Sequence, residues 1–220
     1  MSEYAVECKD IAKNYGHIHA LRSVSLKIKP GEIVGVLGHN GAGKSTFLKI
    51  IGTQLMPSRG TAHILGKDVE RERKEVRRSV GFLGHLSFMY DELTVEENLQ
   101  FYGQMFEINK ADLKRRIEEV INLVNLDRYR AVEVKKLSHG LRKRSDLARI
   151  FLHSPKVIIL DEPFSGLDEA AVKLLINSLK SQGEGTTILL SSHEFDLVKG
   201  TCNRTMVFRD GRVASDTGGS

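Results

Sequence analysis

The sequence has no tryptophan, two cysteines and four prolines in 220 residues. Cys8 and Cys202 stand near opposite ends and form no metal-ligand spacing. They read as free, buried thiols, and a disulfide scaffold is excluded. No apolar run approaches the roughly 20 residues that span a bilayer. The first ten residues are charged and lack the apolar core of a secretory signal, so the chain is expected in the cytoplasm. If it works at a membrane, another component anchors it. The excess of one charge sign is also small. Against 33 Lys and Arg stand 28 Asp and Glu, a net charge of +5. That suits an anionic partner such as a nucleotide or a membrane surface. A basic arm and an aromatic–basic stacking pattern are both missing, so no nucleic-acid partner is expected. There is no internal repeat, and low complexity is confined to a Gly-Gly-Ser end. What remains is an ordinary soluble composition, 40% hydrophobic and 28% charged. Its length suits one sizeable domain, or one domain with a small insert.

One stretch organises the rest: Gly38-His39-Asn40-Gly41-Ala42-Gly43-Lys44-Ser45-Thr46. It has the G-x-x-x-x-G-K-[ST] spacing of a loop that cradles phosphates. Several backbone N–H groups must converge on the phosphate oxygens, and glycines allow the tight turn that brings them there. Lys44 supplies a cation for the β- and γ-phosphates, and Ser45 a hydroxyl for Mg²⁺. The flanks agree. Residues 32–37 (EIVGVL) form a short apolar run that predicts a buried strand. Residues 45–53 predict a helix whose N-terminus adds partial positive charge beneath the phosphates. A plain Gly-rich turn between strand and helix would not require this spacing.

Upstream, two β-like runs flank Asn14-Tyr15-Gly16. The second alternates, with Val24, Leu26 and Ile28 on one face and Ser25 and Lys27 on the other, as in a half-buried antiparallel strand. Tyr15 is placed in the turn, where it either stacks on a nucleotide base or packs on a β-surface. Downstream, Pro57 and Gly60 mark a loop. Residues 61–65 predict a strand, the mixed charges of 67–78 a solvated helix or loop, and 79–83 a buried strand ending at Gly84-His85. Thr94 and Glu97 form a capping box. Val95, Leu99, Tyr102 and Phe106 then recur at helical spacing. A second helix after Asn109 carries Leu113, Ile117, Val120, Ile121 and Val124. Both stripes fit a core face better than a binding groove. The region 85–137 has no strand signal and reads as a helical insert in an α/β chain. Ser138 caps a helix to about Leu152. Residues 157–160 (VIIL) are a wholly apolar strand, 169–181 a helix, and 186–190 another buried strand. Residues 205–208 and 212–214 make a hairpin about Arg209-Asp210-Gly211. Alternating buried strands and helices imply a mostly parallel sheet covered on both faces.

In such sheets ligands bind beyond the carboxyl ends of the strands. Asp161 and Glu162 directly follow the VIIL strand. Asp161 is expected to hold Mg²⁺, directly or through water, and Glu162 to orient or deprotonate the attacking water. His193 ends the next strand on the same edge, where it can meet a γ-phosphate.

The order GHNGAGKST (38–46), LSHGL (137–141), VIILDEP (157–163), SGLD (165–168) and SSH (191–193) resembles an ATP-binding-cassette (ABC) ATPase over nearly the whole chain. The resemblance implies a P-loop NTPase in one 1–220 domain. A RecA-like, mostly parallel core would carry an antiparallel β-subdomain and a helical subdomain at about 86–150. It implies that Tyr15 stacks on adenine and that Glu162 is the catalytic carboxylate. His193 matches the switch histidine. Ser138 and Gly140 match the signature positions that contact the γ-phosphate of ATP on a second subunit, and Asp168 the aspartate linking the two sites. ATP and Mg²⁺ would be the cofactors. The partners would be a second cassette, most simply a second copy in a head-to-tail homodimer, and a separate transmembrane permease at the cytoplasmic face of the cell membrane.

Three departures from the pattern stand out. His39 replaces a common proline, and LSHGL replaces LSGGQ while keeping Ser138 and Gly140. His85 falls at the glutamine that touches Mg²⁺ and the attacking water. There it either takes over that role or is an ordinary loop residue with water in its place. Gly84-His85 and the Leu-Thr-x-x-Glu-Asn-Leu stretch beyond (93–99) are similar to the ATPases of haem exporters for cytochrome c biogenesis and of multidrug-type exporters. An alternative is a soluble ABC ATPase of an assembly, repair or translation system. The usual two cassettes or long coiled coils of translation and repair members are missing here. A small-molecule kinase would leave LSHGL and His193 unused.

Overall fold

The structure, a computed structural model of the chain, describes residues 2–183 and 185–218. Met1, Glu184 and the Gly219 and Ser220 of the Gly-Gly-Ser end lie outside the described residues.

The chain opens with β1 (Val6–Tyr15) and β2 (Ile18–Ile28), antiparallel from Val6↔Ile28 to Tyr15↔Ile18. Val24, Leu26 and Ile28 are buried while Ser25 and Lys27 face solvent. That is the period-two pattern of a strand wet on one face. Tyr15 is thus the last residue of a strand, not part of the turn, because it still pairs with Ile18. After the Pro30-Gly31 turn come β3 (Ile33–Leu37) and α1 (Lys44–Ile51). Next is β4 (Arg59–Ile64), antiparallel to β1. Gly60, expected in a loop, lies inside β4. The register slips between Lys9↔Thr61 and Ala12↔Arg59, and a glycine within a strand accommodates such a bulge. The mixed-charge run divides into β5 (Lys67–Asp68) and α2 (Arg73–Ser79), and β6 (Val80–Leu83) follows with all four residues buried.

Then come α3 (Val95–Met105), α4 (Lys110–Leu123) and α5 (His139–Leu152). Their starts are chemically marked. Thr94 and Glu97 close a capping box, and the side chains of Asn109 and Ser138 accept first-turn N–H groups. The predicted stripes are buried at Val95, Leu99 and Tyr102 in α3, and at Leu113, Ile117, Val120, Ile121 and the C-cap Val124 of α4, whereas Phe106, at the C-cap of α3, is only half-buried. The chain ends with β7 (Val157–Leu160), α6 (Glu169–Lys180), β8 (Thr187–Ser192), α7 (Phe195–Thr201), β9 (Arg204–Arg209) and β10 (Arg212–Asp216). Helix α7 has no counterpart in the sequence reading, and β8 runs two residues further than expected, taking in Ser191 and Ser192.

A four-stranded sheet has the order β2-β1-β4-β5, and a six-stranded sheet the order β10-β9-β3-β8-β7-β6. In the latter, β9, β3, β8 and β7 run parallel and β10 pairs antiparallel to β9. Helix α1 packs against it through Phe47, whose ring lies 5.3 Å from that of Phe208. Cys8 is buried, whereas Cys202 is only partly so. Burial pushes the Cys8 thiol well above its ordinary range and the Cys202 thiol up to about 12, so neither is a ready nucleophile.

The chain forms two compact units. The first comprises Met1–Phe82, Lys156–Pro163 and Glu184–Ser220, and holds both sheets. The second comprises Leu83–Pro155 and Phe164–Gly183, and is helical. It extends beyond the expected 86–150 stretch by taking in α6. Among the described residues, no helix is long and apolar enough to cross a membrane.

Candidate functional site

Strand register assembles the site in the first unit. In β3 and β8, Val36 pairs with Ser191 and Leu37 with Ser192. Leu160 of β7 pairs with Leu190. Strands β3 and β8 therefore end level, and β7 ends two residues earlier. The phosphate loop leaves β3 at Gly38, Asp161 and Glu162 leave β7, and His193 leaves β8, all on one edge of a parallel sheet. This is where such sheets bind ligands.

The loop delivers its backbone to helix α1, which starts at Lys44 with Gly43 as its N-cap and no side-chain capping bond. The first-turn N–H groups are thus directed at whatever anion enters. Gly43 has φ +104, and a Cβ there would come within 2.7 Å of the Ala20 carbonyl oxygen, so only glycine fits. His39, Asn40 and Gly41 are exposed, while Gly38 and Ala42 are buried. His39 Nδ1 donates to the Asn40 carbonyl at 2.8 Å. Thr46 lies in the first turn of α1. Lys44 is almost fully buried. Its Nζ donates to the Gly38 carbonyl at 2.7 Å and lies 3.7 Å from Glu162 Oε1.

Asp161 is 1% exposed, and its Oδ1 accepts from Ser45 Oγ at 2.9 Å and from Ser191 Oγ at 2.8 Å. Ser191 Oγ also accepts from the Glu162 N–H at 2.8 Å. Glu162 has φ +52, a left-handed conformation that costs a non-glycine residue about 1–2 kcal/mol. The hydrogen bond to Ser191 holds that turn. It aims Oε1 towards Lys44 and Oε2 at His193 Nδ1, 3.1 Å away. Since a carboxylate only accepts, Nδ1 carries the proton. Sequence reasoning gave Ser191 no role. Its signal was there, two residues before His193 in a strand neighbouring VIIL, but the use of its hydroxyl depends on register.

A hard oxygen donor set, one serine hydroxyl and one aspartate, suits Mg²⁺, which keeps several waters and uses substrate phosphates for its other ligands. Ser45 and Asp161 therefore fit that ion. Among the described residues there is no cluster of three or more His, Cys, Asp or Glu that could hold a metal. An imidazole such as His85 is not a ligand type that Mg²⁺ selects.

Tyr15 is 48% exposed at the end of β1, with Lys13 Nζ 5.4 Å from its ring centroid. An aromatic face open to solvent can stack on a base.

The remaining candidates belong to the second unit. Ser138 is exposed at the N-cap of α5 and accepts from the Leu141 N–H at 3.4 Å, and Gly140 lies in the first turn. Asp168 caps α6, accepting from the Ala171 N–H at 2.8 Å. Lys143 Nζ donates to the Ser165 carbonyl at 3.0 Å, fastening the SGLD loop to α5. His85 is exposed and lines a concavity of about 230 Å³ with Leu86, His139, Arg142 and Asp146.

Comparison with known proteins agrees with this geometry. The family model for ABC transporters matches residues 21–165. The ATP-binding protein NatA of Bacillus subtilis is 37% identical over 200 residues, 89% of this chain and 80% of that protein. The Nod factor export ATP-binding protein I of Paraburkholderia xenovorans is 33% identical, covering 98% of this chain and 71% of that protein. The daunorubicin resistance ATP-binding protein DrrA3 of Streptomyces coeruleorubidus is also 33% identical, over 98% of this chain and 69% of that protein. Among solved structures, an ATP-binding subunit of an ABC transporter superposes with a TM-score of 0.88 at 30% identity, covering 96% of this chain and 89% of that one. A dimeric bacterial ABC transporter cassette does so with a TM-score of 0.88 at 27% identity, covering 96% and 97%. A post-hydrolysis cassette bound to ADP and Pi reaches 0.84 at 27% identity, again covering 96% and 97%. With a phosphate loop, an acidic pair and a histidine on one sheet edge, and with these relatives along nearly its whole length, the chain belongs to the ABC transporter family as an ATP-binding subunit.

Proposed function

We propose that this chain is the ATP-hydrolysing subunit of a membrane exporter. It works at the cytoplasmic face, paired head to tail with a second cassette, most simply a second copy, on a separate membrane-spanning permease. The observation that carries the catalytic half is the approach of Glu162 to both Lys44 and His193 beside a phosphate loop. The export half is supported by relatives named for Nod factor export and daunorubicin resistance. The haem-exporter reading rests on Gly84-His85 and the LTVEENL stretch (93–99), and cargo choice belongs to the permease.

In this reading Tyr15 stacks on adenine and the loop amides of 38–46 hold the β- and γ-phosphates. Ser45 and Asp161 would hold Mg²⁺, which when bound neutralises charge on the phosphate oxygens. A water oxygen bonds to the γ-phosphorus, the bond to the β–γ bridging oxygen breaks, and Glu162 takes the water's proton. Lys44 meets the charge on the γ-phosphate, and His193, whose Nδ1–H is engaged by Glu162, donates to it only with a second proton on Nε2. Ser138 and Gly140 of one cassette complete the site of the other, and Asp168 connects the two. ATP binding closes the pair and hydrolysis reopens it, which drives the permease.

The test is cell fractionation of the tagged chain. It is expected in the membrane fraction together with a chain of about six apolar spans, each of the roughly 20 residues a bilayer requires. Recovery with ribosomes or a soluble scaffold, and none with membranes, would sink the exporter reading.

A further inference from the structure

We propose that the Asp210-Gly211 turn of the C-terminal hairpin is a positioning element of the nucleotide site: it sets the orientation of the phosphate loop. The proposal rests on nucleotide binding alone and is independent of the exporter reading.

Gly211 bonds on both sides. Its N–H donates to the Ala42 carbonyl at 3.1 Å, and its own carbonyl accepts from the Arg22 N–H at 2.7 Å. One residue therefore ties the loop to β2. The hairpin also meets the start of the loop, for a Cβ on Gly38 would lie only 2.4 Å from the Phe208 carbonyl oxygen. At the other end, a Cβ on Gly43 would stand 3.4 Å from Gly211 Cα and 2.7 Å from the Ala20 carbonyl oxygen. The phosphate loop is thus backed at both ends by main chain that lies some 170 positions away in sequence, beyond the 21–165 segment matched by the family model.

The bond to Ala42 has a directional consequence. A trans peptide points its C=O and N–H in opposite directions. With the Ala42 carbonyl turned to the hairpin, the Gly43 N–H is turned away from it. The hairpin holds this plane only if its turn comes this close. Asp210 and Gly211 have φ +50 and +74, as a two-residue turn between twisted strands requires. A Cβ on Gly211 would stand 2.8 Å from the Ala20 carbonyl oxygen and 3.1 Å from Leu21 Cα. Both are backbone atoms of a paired strand and cannot swing aside.

Gly211→Ala separates positioning from mere support when set beside Gly183→Ala. Gly183 has φ +88 with nothing within 4 Å of its would-be Cβ, so it carries the same backbone cost in open space. MgATP binding is measured by equilibrium titration at a temperature where circular dichroism shows both variants folded. Gly211→Ala is expected to weaken binding about tenfold or more, and Gly183→Ala to leave it unchanged. Wild-type affinity in a folded Gly211→Ala, or equal weakening in both variants, overturns the proposal. If Gly211→Ala does not fold, amide exchange of the wild-type chain decides. MgATP should slow exchange of the Gly211 N–H about tenfold or more, because releasing it from Ala42 then means opening a liganded loop. An unchanged rate overturns the proposal.

Discussion

Ser191 shows how much one hydroxyl can organise. It donates to Asp161 and accepts from the Glu162 N–H, so the two acidic residues share one fastening. Ser191→Ala leaves the Glu162 N–H without that acceptor. The expected loss is about 1–3 kcal/mol in stability, read as a lower urea midpoint. ATP turnover should fall roughly tenfold or more as Glu162 leaves its left-handed turn. A midpoint and a rate equal to wild type would contradict this role. Residues of this kind were only partly legible in the sequence. The 38–46 loop was legible because all its chemistry is local: spacing, glycines, a lysine and a serine in one run. Asp161, Glu162 and His193 were legible because each directly follows an apolar strand. Ser191 was not, because its partners are 29 and 30 positions away and are met only through the β7–β8 register. Gly16 places Tyr15 at a turn in the sequence, but pairing with Ile18 keeps it in the strand.

At the scale of elements, the hairpin β9–β10 is secured by Arg204. This buried guanidinium donates to Asp216 at 2.6 and 2.8 Å, to Glu32 at 2.7 Å and to the Lys27 carbonyl at 2.8 Å. These bonds join β10 to the end of β2 and to the residue preceding β3. The Arg204 guanidinium holds the Asp216 carboxyl below the usual carboxylate range, with help from the Gly218 N–H. A depressed carboxyl stabilises the fold above its unfolded value near 3.9, and that contribution fades as pH falls through the lower folded value. Asp216→Asn should therefore cost about 1–3 kcal/mol at pH 7 by urea denaturation, and the gap to wild type should close below about pH 4. A gap independent of pH would contradict the assignment. The hairpin itself was legible, since Asp-Gly between two apolar runs is a strong turn signal. Helix α7 was not. Its seven residues carry too few apolar positions for a helical period, and Gly200 sits inside it.

For the whole molecule, alternating strand and helix signals gave the parallel sheet, and the long strand-free region gave a helical unit. That unit also takes in α6, which the linear order hid because β7 and the acidic pair come between. The division matters for function. One unit carries Lys44, Asp161, Glu162 and His193, and the other carries Ser138, Gly140 and Asp168. In the proposed pair, each nucleotide lies between the first unit of one cassette and the signature of the other, so the site's chemistry and its completion belong to separate bodies. Glu162 links this account to a rate. The most direct measurement is ATP turnover by Glu162→Gln alongside its MgATP affinity. The amide keeps the size and polarity of the side chain but cannot take a proton. The account predicts affinity close to wild type and turnover lower by about 10²–10⁴-fold. Turnover at the wild-type rate would contradict it.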